Sequence, residues 1–166
     1  MLTKNLLKPQ SQKLWETLSG EEMYAHHLYI HIANQLQGNG LFGGQSYFEG
    51  ESASELTHYY KIRDFVNDMG GVLCAPSVEE MKQDTKDLGK ALDVYYNTEL
   101  DLLRTYEKAY KNFMSIDDYA SAKLVLEFIE IQSSSVGEAG DLCKRYEIAA
   151  ANKEVLFFDK ELKKLA

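Results

Sequence analysis

Five polar side chains of metal-binding type interrupt otherwise apolar stripes along this sequence. They are Glu22, Glu55, His58, Glu99 and Gln132. Burying a carboxylate without a partner costs several kcal/mol, and buried carboxylates that lie close together also repel one another. Two divalent cations between them would remove both costs. Carboxylate oxygens with one imidazole, one amide and no thiolate favour iron or manganese over copper or structural zinc.

Each position also has an alternative explanation. A single glutamate on an apolar stripe can be assigned to the wrong helix face, or can accept a hydrogen bond from a neighbouring tyrosine. Glu55 and His58 are three residues apart, and such pairs arise by chance in many helices. The same type of residue at one level of four helices would be a much stronger signal. The metal interpretation therefore depends on the helices that position these side chains.

Apolar residues recur every three or four positions in four segments, which predicts four amphipathic helices. The stripes cover residues 9–36, 48–69, 88–113 and 122–146. Pro9 suits the first turn of the first helix. The first two helices are predicted to end at Gly38-Asn39-Gly40 and at Gly70-Gly71, since glycine is typical just after a helix.

These helices predict an all-α, four-helix bundle, each helix being about 35 to 45 Å long. Short joints near residues 38–44 and 115–118 indicate two antiparallel pairs. The segment 72–86 contains Pro76 and no sustained pattern. Its roughly 15 residues reach about 50 Å when extended, enough to cross the bundle and bring the third helix parallel to the second. Because the five polar residues lie near the middle of their helices, we expect them to converge.

Composition limits the function classes. The 166 residues are 45% hydrophobic and 27% charged, an ordinary mix for one globular domain, so residues 1–166 are predicted to form a single domain. No apolar stretch approaches the roughly 20 residues of a membrane span, and Met1-Leu2-Thr3-Lys4 opens no signal-peptide pattern, which predicts a cytoplasmic protein away from membranes. A net charge of −8 disfavours nucleic acid and attracts cations.

The pattern resembles the ferritin family, a group of di-metal carboxylate proteins built on a bundle with one long crossover. The resemblance covers nearly the whole chain. It rests on Glu22 followed by Tyr29, on Glu55-Leu56-Thr57-His58, on Glu99, on Gln132, and on the terminal stretch 156–162. That stretch is similar to the short fifth helix of bacterial ferritins.

The resemblance implies a role for each residue. Glu22 and His58 would hold one iron, Glu99 the other, and Glu55 would bridge the two. Gln132 would orient water or oxygen beside the second iron. Tyr29 would be a catalytic residue that gives an electron and a proton to bound oxygen, although a tyrosine here can also be a core aromatic.

The implied function is iron storage: oxidation of Fe(II) by O₂ at a di-iron ferroxidase centre within each subunit, with Fe(III) mineral kept inside a cage of 24 subunits. Two alternatives remain open. One is a cage that binds or buffers iron with little turnover, and the other is a non-storage di-iron oxidase that forms no cage.

Departures from related patterns sharpen these expectations. The stretch Gln132-Ser133-Ser134-Ser135 lacks the second Glu-x-x-His of bacterioferritins, and Leu56 replaces their haem-binding methionine, so no haem is expected. The positions that form a third iron site in bacterial ferritins carry no carboxylate, and that site is expected to be absent. They are Ser54, Ile131, Ser134 and Ser135.

Further residues carry weaker expectations. His26, one turn after Glu22, either joins the metal site or bonds to a backbone carbonyl or to solvent. His27 and His31 are expected on the surface or at a subunit contact, and the ten tyrosines other than Tyr29 are expected to serve packing. The apolar residues of 155–165 should be buried between subunits, because a bundle closed by four helices cannot bury them.

Overall fold

The computed structural model describes residues 4–166 and contains five α-helices. They are α1 (Pro9–Gly38), α2 (Phe42–Asp68), α3 (Leu88–Ser115), α4 (Tyr119–Ala151) and α5 (Val155–Leu162). Residues 4–166 include no strand, and none of their helices has the length and apolarity needed to cross a membrane. Met1–Thr3, part of the predicted domain and of the opening segment, lie outside the described residues. The predicted four-helix bundle with a short fifth helix is confirmed.

The long connection, residues 69–87, runs along α1 from one end of the bundle to the other. Gln12, near the start of α1, donates a hydrogen bond from Nε2 to the carbonyl of Val72 (2.9 Å). Asn39, just after the end of α1, donates from Nδ2 to the carbonyl of Lys86 (2.8 Å). The connection is therefore the predicted crossover, and α3 starts at the end of the bundle where α2 starts.

The crossover contacts one of the two histidines expected on the surface or at a subunit contact. His27 is exposed, and its Nδ1 donates to the carbonyl of Met23. His31 is half-buried, and its Nε2 donates to the carbonyl of Gln83 in the crossover (2.8 Å). The crossover covers this face of α1, and helix periodicity does not reveal the path of an irregular segment.

The start of α2 lies inside the predicted joint of residues 38–44. The Asp159 carboxylate of α5 accepts hydrogen bonds from the backbone N–H groups of Gly43 (3.1 Å) and Gly44 (2.7 Å). These are unpaired donors of the first turn of α2, which an acidic side chain satisfies. A Cβ at Gly43 would overlap with the backbone of Asp159. Glycine is therefore needed here for close approach of α5, although it suggests a turn in the sequence.

The docking of α5 corrects one expectation. Phe158 and Leu162 are buried in the core at this end of the bundle, packed within the same chain. The prediction that the apolar tail residues can be buried only between subunits is wrong for these two. Leu156 and Phe157, on the other face of α5, remain 73% and 63% exposed.

The core is divided into two apolar clusters by a polar level. One contains Ile32, Phe48 and Leu142, and the other contains Trp15 and Phe113. The predicted metal ligands on α1, α2 and α4 lie between the stretches of helix that contribute to each cluster. Helices with apolar residues along the whole of their inner faces would form one continuous core. The polar residues that interrupt this core therefore mark the position of a candidate site.

Candidate metal centre

The first half of the site is formed by Glu22 from α1 with Glu55 and His58 from α2. His58 Nδ1 lies 2.9 Å from Glu55 Oε2 and 3.3 Å from Glu22 Oε2. One ligand atom from each of the three residues lies within 4.8 Å of the others, a spacing that suits a shared metal ion. Both carboxylates are buried, and the His58 side chain is 12% exposed. The helix geometry explains the pairing on α2, since residues three apart share one face.

Burial and charge shift the proton affinities of this half. Burial raises the pKa of Glu55 to about 8, against the opposing effect of its hydrogen bond with His58. Burial alone would lower the pKa of His58, but the two carboxylates outweigh it and raise that pKa to about 10. Protons thus compensate the carboxylates when no cation is bound. A divalent ion would displace them, since metal ligands bind in their deprotonated forms.

The second half of the site is formed by Glu99 from α3, Gln132 from α4 and Tyr29 from α1. Gln132 Nε2 donates to Glu99 Oε2 (2.7 Å), and the Tyr29 hydroxyl donates to Glu99 Oε1. All three side chains are buried. Burial, and next the charge of Glu55, raise the pKa of Glu99 to about 8. The two halves are therefore electrostatically coupled through Glu55.

Two unpaired oxygen atoms show that the centre is incomplete without a further partner. Glu22 Oε2 and Gln132 Oε1 are fully buried and accept no hydrogen bond of good geometry from residues 4–166, although Glu22 Oε2 lies 3.3 Å from His58 Nδ1. An unpaired buried polar atom costs about 1 to 3 kcal/mol, so native structures rarely keep one without a reason. One of these atoms lies in each half of the site. The residues present therefore fit hard or borderline cations bound through oxygen and one imidazole nitrogen.

The alternative of carboxylates bonded to tyrosines also describes part of the structure. Tyr29 donates to Glu99, and Tyr106 donates to Glu22. These bonds do not remove the cost of burial, because the pKa of Glu99 stays well above the ordinary value of 4.5. Tyrosine bonding and metal binding are therefore compatible: each phenol engages one carboxylate oxygen.

Sequence reasoning missed three side chains around the centre. Tyr106 and Tyr95 pack in the apolar clusters, as expected of the other tyrosines, but their hydroxyls also donate to carboxylates: Tyr106 to Glu22, and Tyr95 to Glu51 Oε2 (2.6 Å). Glu51 is partly buried, and burial raises its pKa. The signal was the helical repeat: Glu51 precedes Glu55 by four residues, and Tyr106 follows Glu99 by seven.

His26 lies beside the centre but bonds elsewhere. Its Nδ1 donates to the backbone carbonyl of Ser52 (2.9 Å), and the Ser52 hydroxyl donates in turn to the carbonyl of His26 (2.9 Å). Of the two expectations for this residue, the structure matches the backbone bond. His26 thus ties α1 to α2 one turn from Glu22.

The solved structures similar to this chain include archaeal ferritins. An open-pore ferritin from the hyperthermophilic archaeon Archaeoglobus fulgidus is similar over 96% of this chain and 98% of its own, with a TM-score of 0.91 and 22% identity. A version of that protein engineered into a closed form is similar over 95% of this chain and 96% of its own, with a TM-score of 0.91 and 22% identity. A humanized archaeal ferritin is similar over 95% of this chain and 97% of its own, with a TM-score of 0.90 and 21% identity. At this identity the similarity supports the fold.

Sequence comparison assigns the family. No curated protein has a matching sequence. A sequence model of the ferritin family, described as the ferritin-like domain, matches residues 12–148, which include every residue of the candidate centre. The chain therefore belongs to the ferritin-like family.

Proposed function

We propose that this protein is an iron-storage ferritin that oxidises Fe(II) with O₂ at a di-iron centre within each subunit. The observation that carries the proposal is the buried cluster of three glutamates and one histidine, with an unpaired oxygen in each half. Family membership supports iron as the metal. A structural metal is a weaker explanation, because the two apolar clusters already hold the bundle together.

In this proposal the two halves of the centre bind two Fe(II) ions as substrate. Glu22 and His58 hold the first, Glu99 holds the second, and Glu55 bridges them. Gln132 presents its unpaired oxygen to the second ion or to a water molecule beside it. Pairing the ions suits the chemistry, since each Fe(II) gives one electron and O₂ accepts two, with two protons, to form hydrogen peroxide.

The centre also provides for the protons of the reaction. Metal binding displaces protons from Glu55 and His58, the groups whose pKa values lie near 8 and 10. In the proposal Tyr29, whose hydroxyl donates to Glu99 Oε1 in the metal-free protein, gives an electron and a proton to the reacting O₂. We assign Tyr29 this catalytic role. The proposal includes two iron ions per subunit and no haem.

The proposal includes assembly into a cage of 24 copies of one domain, residues 1–166, in the cytoplasm. Leu156, Phe157 and Ile148 are each at least 63% exposed at the α5 end, which supports burial against other subunits. A charge of −8 per subunit would draw Fe(II) toward the assembly and keep it away from nucleic acid.

One observation favours the alternative of iron binding with little turnover. Both carboxylate oxygens of Glu99 accept hydrogen bonds, one from Tyr29 and one from Gln132. The second ion must displace at least one of these donors, whereas at the first ion's site Glu22 Oε2 contacts only His58 Nδ1, itself a proposed ligand atom, at 3.3 Å. A centre that filled only its first half would buffer iron. A subunit that stayed monomeric would instead indicate a non-storage oxidase.

The test combines assembly with turnover. The metal-free protein is sized by light scattering, loaded with Fe(II) under nitrogen and mixed with O₂, while the absorbance of Fe(III) and the oxygen consumed are followed. We expect a large assembly that oxidises iron rapidly. Glu55→Gln should abolish the fast phase, because the bridge serves both ions.

The matched control is Glu49→Gln, an exposed glutamate on the same helix, which should leave the rate unchanged. Equal rates in the wild type and Glu55→Gln would contradict the assignment of the centre. Slow oxidation with tight Fe(II) binding would favour buffering.

A further inference from the structure

We propose that Tyr106 is a positioning residue of the first metal site, which holds one oxygen of Glu22 so that Glu22 binds metal through Oε2 alone. The inference rests on the proposed function, because it deepens the first half of the same centre. Tyr106 is fully buried on α3, and its hydroxyl donates to Glu22 Oε1.

The two oxygens of the Glu22 carboxylate have different surroundings. Oε1 is engaged by the phenol of Tyr106, while Oε2 has no hydrogen-bond partner within the described chain and lies 3.3 Å from His58 Nδ1. A free Glu22 carboxylate could turn about its last torsion and offer either oxygen or both. With Oε1 held, only Oε2 faces the other ligand atoms, so one-oxygen coordination is set before metal arrives.

The ring of Tyr106 is fixed by its neighbours. It stacks on Phe128 with centroids 4.8 Å apart and planes inclined by 3°. Phe128 in turn meets the His58 ring edge to face, with centroids 5.9 Å apart and an interplanar angle of 85°. The aromatic pair thus supports Glu22 through a hydrogen bond and His58 through a ring contact. One rigid unit orients the two ligands that belong to the first ion alone.

The contrast with Glu99 supports a specific purpose for this arrangement. Tyr29 and Gln132 occupy both oxygens of Glu99, whereas Tyr106 occupies one oxygen of Glu22 and the other faces His58 Nδ1 at 3.3 Å, itself a proposed ligand atom. At the first site the oxygen left by the tyrosine therefore lies among ligand atoms, while at the second both oxygens are held by hydrogen-bond donors. Residues that support a ligand in this way typically change metal affinity 10- to 100-fold when altered.

Co(II) binding under nitrogen provides the test, because Co(II) occupies iron sites, is not oxidised by the assay and reports its coordination number through visible absorption. Metal affinity is measured by calorimetry and the spectrum is recorded at one equivalent per subunit. Tyr106→Phe keeps the stacked ring and removes only the hydroxyl. The matched control is Tyr110→Phe, the partly buried tyrosine one turn further along α3, which packs on the same apolar cluster.

We expect Tyr106→Phe to weaken binding of the first Co(II) by at least about tenfold, and its absorption to weaken as Glu22 adopts two-oxygen coordination. Tyr110→Phe should match the wild type. Unchanged or tighter first-site binding, with an unchanged spectrum, would overturn the proposal. A role in packing alone would lower the melting temperature and leave the Co(II) spectrum as it is.

A crystal structure of the Co(II)-loaded wild type tests the same point without a variant. Glu22 should bind through Oε2 with the Tyr106 hydroxyl still on Oε1, and two-oxygen coordination would overturn the inference. Failure of the wild type to bind Co(II) between Glu22, Glu55 and His58 would instead contradict the proposed function, so the two failures are distinguishable.

Discussion

Replacing Glu99 by glutamine should stabilise the metal-free protein while impairing its iron chemistry. Burial and the neighbouring charge of Glu55 raise the pKa of Glu99 from 4.5 to about 8. At pH 7 the folded protein must therefore take up a proton that the unfolded chain releases. Protonating a carboxylate costs about 1.4 kcal/mol for each pH unit above its pKa in the unfolded chain. Because pH 7 lies two and a half units above 4.5, the proton costs roughly 3 kcal/mol of folding free energy.

Glutamine has nearly the same shape and no charge, so Glu99→Gln removes this cost. The Tyr29 hydroxyl can still donate to the amide oxygen. The new amide N–H would face Gln132 Nε2, but rotation of the Gln132 amide would present its unpaired Oε1 instead. Allowing about 1 kcal/mol for imperfect hydrogen bonds, we expect a net gain of about 2 kcal/mol at pH 7.

The raised pKa of Glu99 also predicts how the stability of the wild type changes with pH. A raised carboxyl pKa contributes stability that is fully present below 4.5 and is lost as pH rises through about 8. The wild type should thus lose stability over this range relative to Glu99→Gln. At pH 5 the proton costs less than about 1 kcal/mol, and the hydrogen-bond loss cancels it.

Urea unfolding of chelator-treated protein at one protein concentration measures the stability difference between the wild type and Glu99→Gln at pH 5 and at pH 7. Glu107→Gln, an exposed glutamate on the same helix, is the control and should shift neither. A variant less stable than the wild type at pH 7, or a difference that does not grow between pH 5 and pH 7, would refute the reasoning.

Three further predictions follow from other parts of the structure. Gly43→Ala should detach α5, because its Cβ overlaps with the backbone of Asp159, and should increase proteolysis after residue 152 in a timed digest. Gly137→Ala should raise stability by about 1 kcal/mol in urea unfolding, because alanine favours helix and its Cβ would meet no atom within 4 Å apart from its chain neighbours and the nearby backbone of its own helix. Stopped-flow oxygen consumption at low iron loading should give about two Fe(II) per O₂ with detectable peroxide, as expected for two one-electron donors. A ratio well above two that persists in Tyr29→Phe would require an electron source outside the proposed centre.

The helices could be predicted because their apolar periodicity is long and regular. Pro9 and Gly70 mark helix limits in the sequence and in the structure, where Gly70 has φ of 80°. The start of α2 could not be read in the same way. Gly43 and Gly44 resemble a turn, and only their contact with Asp159, more than 110 residues later, makes them the first turn of a helix.

The candidate ligands were visible because carboxylates are costly within an apolar stripe, and the structure brings Glu22, Glu55 and His58 together. The phenols were less visible, since tyrosine suits both a core and a polar site. Whether Tyr106 packs or donates depends on the relative position of α1 and α3 along the bundle, which a single sequence does not specify.

The most direct test of the di-iron centre is anomalous diffraction at the iron edge from crystals soaked in Fe(II) under nitrogen. The account predicts two peaks in every subunit, one between Glu22, Glu55 and His58 and the other between Glu55, Glu99 and Gln132. Iron that binds only elsewhere on the protein would contradict it.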